Sequence, residues 1–144
     1  MDNTITLCSV HIPPNSALSL AQLKNLADQL PIPFIIMGDF NGHNPLWGSK
    51  TTIDKGKKLE DFLSKEGFCI FNDGTDTYLH PGNGSYSAID LTVPSDPSLL
   101  LYFSWKVNDD LCVSDHFPII LDSLNSTLGE RPTRYKFDKA DWTL

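Results

Sequence analysis

The 144 residues carry 11 basic and 18 acidic side chains, for a net charge of −7 and a pI near 4.8. That length favours one domain, and that charge excludes a protein that coats nucleic acid through a broadly basic surface. It does not exclude an enzyme that gathers carboxylates around a metal and holds its substrate with a few local cations.

No apolar run approaches the roughly 20 residues that span a bilayer, and the N-terminus lacks the basic-then-apolar pattern of a signal peptide. Cys8, Cys69 and Cys112 are odd in number and far apart. They form no CxxC pair and no disulfide pattern, so an intracellular, non-secreted setting without membrane contact is expected.

In chain order, Ile5 to Ile12 reads as a strand closed by Pro13-Pro14. A helix follows, with Ser16 or Ser19 as N-cap and Gln22 completing a capping box with Ser19. Leu20, Leu23, Ala27 and Leu30 recur at helical spacing, and Pro31 and Pro33 end the run. Phe34-Ile-Ile-Met37 has the continuous apolar character of a strand buried on both faces. It runs into Gly38-Asp-Phe-Asn-Gly42 and a loop through Pro45-Leu-Trp47-Gly48.

Lys55 to Glu66 reads as a second helix stopped by Gly67, and Phe68 to Asn72 as a strand. Thr77–His80 and Tyr86–Val93 read as arms of a hairpin around Pro81-Gly-Asn-Gly84. Tyr102–Val107 and Phe117–Leu121 read as the last strands. The tail from Asn125 is polar and basic, with Arg131, Arg134, Lys136 and Lys139. Strand, helix, strand, helix and then mostly strands is the order of a layered α/β domain over residues 1–124.

Three short motifs carry chemistry. Asp39 and Asn41 follow a buried strand, where α/β proteins place catalytic groups. Two apart on an extended segment, they would point the same way, although Gly, Asp and Asn are also ordinary turn residues. Asp90 sits mid-strand between Ile89 and Leu91, so it faces either a polar cleft or solvent. Ser114-Asp115-His116 leads into a strand. There His116 is a candidate general acid or base, Asp90 a candidate partner for its ring nitrogen and Asp115 a candidate metal ligand. Each motif alone also reads as a turn or a strand start. His43 and His80 read as exposed loop residues, and Trp47 and Trp105 as packing anchors.

Taken together and in this order, Gly-Asp-Phe-Asn, Ser-Ala-Ile-Asp-Leu and Ser-Asp-His-Phe-Pro-Ile resemble the endonuclease/exonuclease/phosphatase superfamily. Gly38-Asp-Phe-Asn-Gly-His-Asn-Pro-Leu-Trp-Gly-Ser49 is similar to the apurinic-like endonuclease domain of jockey-like LINE retrotransposons. Tyr135-Lys-Phe-Asp-Lys-Ala-Asp-Trp142 resembles the linker toward their reverse transcriptase, so 125–144 is expected to be that linker.

The resemblance implies a DNase I-like, four-layer α/β sandwich and Mg²⁺-dependent hydrolysis of a DNA phosphodiester, with Mn²⁺ as a substitute ion. It implies target-site DNA as partner, action in the nucleus, and element RNA reached only through a reverse transcriptase. By position it makes Asp39, Asn41, Asp90 and His116 catalytic, with Asp39 handling a proton and Asn41 orienting phosphate. Asp115 and Asp39 become metal-linked acids, and Asn41 and His11 substrate contacts. The family often has tyrosine where His11 stands, so His11 reads either as a phosphate contact or as a tolerated replacement in a decaying copy.

The family also places an asparagine and a metal-binding glutamate upstream of anything in this chain. The chain is therefore expected to be an incomplete, C-terminal portion of the sandwich. Alternatives are a truncated, catalytically inactive copy, and a phosphatase of the same superfamily.

Overall fold

Phe34-Ile-Ile-Met37 offers apolar side chains in both directions, and the chain buries both. The computed structural model describes residues 4–124; the expected linker, 125–144, lies outside the described residues. β1 (Thr6–His11) pairs in parallel with β2 (Phe34–Asp39), and β2 pairs antiparallel with β5 (Asp90–Pro94). On one face of this sheet Phe34, Ile36, Leu91 and Val93 pack against Leu23 and Ala27 of α1 (Leu20–Gln29) and Leu59, Phe62 and Leu63 of α2 (Asp54–Glu66). On the other face Ile35 packs with Phe71 and Leu99 against Phe103, Trp105 and Leu121. These last belong to β6 (Phe103–Val107) and β7 (Ile119–Ser123), an antiparallel pair. The described residues thus form a helical layer, a central sheet and a second, small sheet.

Local sequence explains the boundaries. Ser19 caps α1 and exchanges both capping-box hydrogen bonds with Gln22, as its spacing predicts. Gly67 ends α2 in the left-handed conformation. Gly38 has φ 145, and a Cβ there would collide with the Val10 carbonyl, so β1 and β2 meet this closely only with glycine before Asp39. Trp47, fully buried, donates its indole N–H to the Gly42 carbonyl at 2.9 Å and anchors the long loop, as expected.

Two expectations are corrected. Phe68–Asn72 is not a strand. Its backbone makes one bond to β5, Phe71 N–H to Thr92 O at 2.9 Å, and the Asn72 side chain then takes over. Asn72 Nδ2 donates to Asp90 O at 2.8 Å and Oδ1 accepts from Thr92 N at 3.0 Å, so a side-chain amide replaces the backbone ladder. The long arm Tyr86–Val93 is also split. β3 (Tyr78–Leu79) and β4 (Tyr86–Ser87) form a short hairpin with two residues in each strand, and the chain then leaves for the central sheet as β5. Thr77 Oγ1 marks the break by accepting from both Ile89 N and Asp90 N at 3.1 Å.

Candidate active site

Strand register assembles the site. His11 stands opposite Asp39 in the β1–β2 ladder, and Asp39 opposite Asp90 in the β2–β5 ladder. Three polar side chains therefore lie in one row across the rim of the sheet, at the carboxyl ends of β1 and β2. His116 arrives from the far side. Tyr78 and His116 form a single β-bridge, flanked by Leu79 N–H to Asp115 O and Phe117 N–H to Thr77 O, both 2.8 Å. That pairing brings His116 Nδ1 to 3.0 and 3.2 Å from the two Asp90 oxygens, and its Nε2 to 3.8 Å from Asp39 Oδ2. His11 Nδ1 approaches the same Asp39 oxygen at 3.4 Å.

Asp39 and Asn41 do converge, but not along an extended segment. Asn41 has φ 48, a left-handed conformation that asparagine tolerates better than most residues. The turn brings Asn41 N–H to Asp39 Oδ1 at 2.9 Å and Nδ2 to Oδ2 at 2.8 Å. Nδ2 also donates to the Ile12 carbonyl at 3.0 Å, so both amide hydrogens are engaged.

Asp90 is 8% exposed. Burial raises its pKa above the ordinary carboxylate value, opposed by the Thr77 hydroxyl and by His116. Removal from water therefore outweighs the two favourable partners. Asp115 has an exposed side chain and meets β3 through its backbone carbonyl.

Sequence reasoning missed several participants. Thr77 holds both the backbone and the carboxylate of Asp90. Tyr78 lays its ring 4.7 Å from His116 and 4.6 Å from His80. Lys55 is buried beside the rim, with its pKa lowered by burial and partly restored by Asp39. A lysine in the first turn of a helix opposes the helix dipole, a signal that could have drawn attention to it. His43 and His80 are half-buried rather than exposed, and burial together with His80 lowers the pKa of His43. His80 Nε2 lies 2.8 Å from Ser87 Oγ.

The family model described as endonuclease-reverse transcriptase matches residues 5–120, which takes in every residue of this rim. The chain belongs to that family. It is a domain of the endonuclease/exonuclease/phosphatase superfamily related to non-LTR retrotransposon endonucleases. The endonuclease domain of TRAS1, a telomere-specific non-LTR retrotransposon, superposes with a TM-score of 0.67 at 27% identity, over 78% of this chain and 52% of that one. A Pol polyprotein from the type-1 retrotransposable element R1 of Bradysia coprophila is 25% identical over 138 residues, 85% of this chain and 14% of the relative. A probable RNA-directed DNA polymerase from transposon X-element of Drosophila melanogaster is 25% identical over 118 residues, 81% of this chain and 13% of the relative. The chain thus spans about one seventh of these curated relatives and about half of the TRAS1 domain.

The donor set does not by itself make a site for Mg²⁺. That ion takes oxygen ligands in near-octahedral geometry. Among the described residues no group of three or more His, Cys, Asp or Glu is arranged to hold a metal. Asp90 is engaged with His116, and Asp39 already receives Asn41 while facing two imidazoles.

Proposed function

We propose that this chain carries the hydrolytic rim of a retrotransposon endonuclease that nicks target-site DNA in the nucleus. The observation that supports this most is His116 held between two acids, Asp90 at 3.0 Å and Asp39 at 3.8 Å. With Asp90 accepting from Nδ1–H, the tautomer and ring plane are fixed and Nε2 is presented at the rim. When the ring is the imidazolium cation, Nε2–H can donate to a phosphoryl oxygen as negative charge builds on it. Asp39 is the carboxylate placed to take a proton from an attacking water. Asn41 is read as orienting Asp39; a contact to phosphate requires it to exchange one of its two present bonds. His11, at the end of the row, is placed to meet a second phosphoryl oxygen.

Mg²⁺ or Mn²⁺ dependence remains part of the proposal from family membership, and no step above is drawn through the ion. The layers described are read as part of a four-layer sandwich, supported by the TRAS1 superposition. Element RNA is read as the business of a reverse transcriptase in the longer relatives.

The test is nicking of supercoiled plasmid in Mg²⁺, with and without EDTA. Where the chain nicks, the nicking should be EDTA-sensitive and fall about 10²–10³-fold in His116→Ala, the usual cost of losing one electrostatic stabiliser. Equal nicking by both proteins would overturn the assignment of His116. A second reading, that the chain does not cleave DNA by itself, is favoured by the lack of a three-ligand cluster among the described residues. Absent nicking with intact duplex binding would establish it.

A further inference from the structure

The turn after β1 is held in an unusual way. Pro13 and Pro14 have no backbone N–H, so carbonyl oxygens are the backbone handles this turn offers. Three consecutive carbonyls are each taken by a side chain from the β2–α2 segment. Ile12 O accepts from Asn41 Nδ2 at 3.0 Å, Pro13 O from Lys55 Nζ at 2.6 Å, and Pro14 O from the same ammonium at 3.0 Å. Ser16 adds its own N–H and hydroxyl to Pro13 O. Lys55 is 7% exposed. An ammonium at that depth, in the first turn of a helix, is disfavoured twice over, by desolvation and by the helix dipole. Carbonyl oxygens converging on it offset the first cost. The adjacent Gly56 lets the start of α2 lie against the His43 backbone, since a Cβ there would collide with the His43 carbonyl.

We propose that Lys55 is a positioning residue, whose ammonium clamps the Pro13–Pro14 turn and thereby fixes the end of β1 that sets His11 against Asp39. The link is short. Ile12 N–H donates to Asp39 O at 2.8 Å, so the clamped turn, His11 and Asp39 form one hydrogen-bonded unit. Without the ammonium, Pro13 O and Pro14 O lose their side-chain donor from the β2–α2 segment, and the ties that stay are those at Ile12, to Asn41 and to the Asp39 backbone. The kinetic consequence rests on the nuclease reading; the structural consequence does not.

The experiment compares wild type with Lys55→Met and Lys55→Arg. Imidazole NMR spectra are recorded at fixed pH, and nicking kinetics are measured where wild type nicks. In Lys55→Met the His11 ring signals should move and broaden while those of His80 stay in place. Its kcat should fall about 10–10²-fold, the scale of an ångström-sized misplacement, with KM within about twofold. Lys55→Arg, which keeps charge and donors, should recover most of both. If Lys55→Met does not fold, Lys55→Gln, with two N–H donors and no charge, is read in the same way. Unmoved His11 signals in a folded, uncharged variant overturn the proposal. If wild type fails to nick, the nuclease reading fails while the His11 spectra still decide the role of Lys55.

Discussion

Asp90 is the residue on which stability and chemistry pull apart. Its raised pKa means that the folded chain keeps a proton that the unfolded chain releases as pH rises through the ordinary carboxylate range. In that window stability falls as pH rises, and the deficit persists at all higher pH. Asp90→Asn removes the buried charge and keeps the shape. At pH 8 the variant should melt above wild type in a thermal scan, and the gap should close as pH falls through the window. Nicking should fall roughly 10²–10⁴-fold, because the amide no longer fixes the His116 tautomer or stabilises its cation. A variant that melts lower at pH 8 would mean that attraction to His116 exceeds the burial cost. The pairing of Asp90 with His116 was legible in the sequence, since an acid between Ile89 and Leu91 needs a partner. The capture of Asp39 by Asn41 was not, because it depends on a left-handed backbone at Asn41 that turn-prone residues permit but do not demand.

Elements were most legible where periodicity and caps agree, as at α1 with its Ser19–Gln22 box and α2 with Gly67. They were least legible where side chains take over backbone pairing. Phe68–Asn72 has the composition of a strand, yet Asn72 bonds β5 through its amide at 2.8 and 3.0 Å. No periodicity argument registers that substitution. It gives Asn72 more weight than a loop asparagine usually has. Asn72→Ala leaves Asp90 O and Thr92 N without these partners, and should cost about 1–3 kcal/mol in urea unfolding. Nicking should fall as well, because β5 carries Asp90 and is laced on this side by Asn72 and on the other by β2. Stability loss with full activity would show that Asp90 is placed by Thr77 and His116 alone. A parallel test is Gly38→Ala, which forces β1 away from β2 next to Asp39. It should lower the unfolding midpoint and weaken nicking together, through strain at φ 145 and collision with Val10.

At the scale of the whole molecule, the acidic surface and the proposed polyanionic substrate have to be reconciled. Between Thr4 and Leu124 the chain has seven lysines and no arginine, and one of those lysines, Lys55, is buried against carbonyls. The other basic groups of the rim are His11 and His116, each beside a carboxylate. Few phosphates can therefore be neutralised, so duplex binding should depend on shape and hydrogen bonding more than on counterion release. Each neutralised phosphate contributes about −0.9 to the slope of log K against log salt. With about three contacts, fluorescence anisotropy on a short duplex should give a slope near −3. Arg131, Arg134, Lys136 and Lys139 lie beyond residue 124. Deleting 125–144 should leave that slope unchanged if the rim alone binds DNA, and make it shallower if the tail lies along the backbone. A slope of about −6 or steeper that survives the deletion would mean a basic face exists that neither the charge count nor the rim reveals.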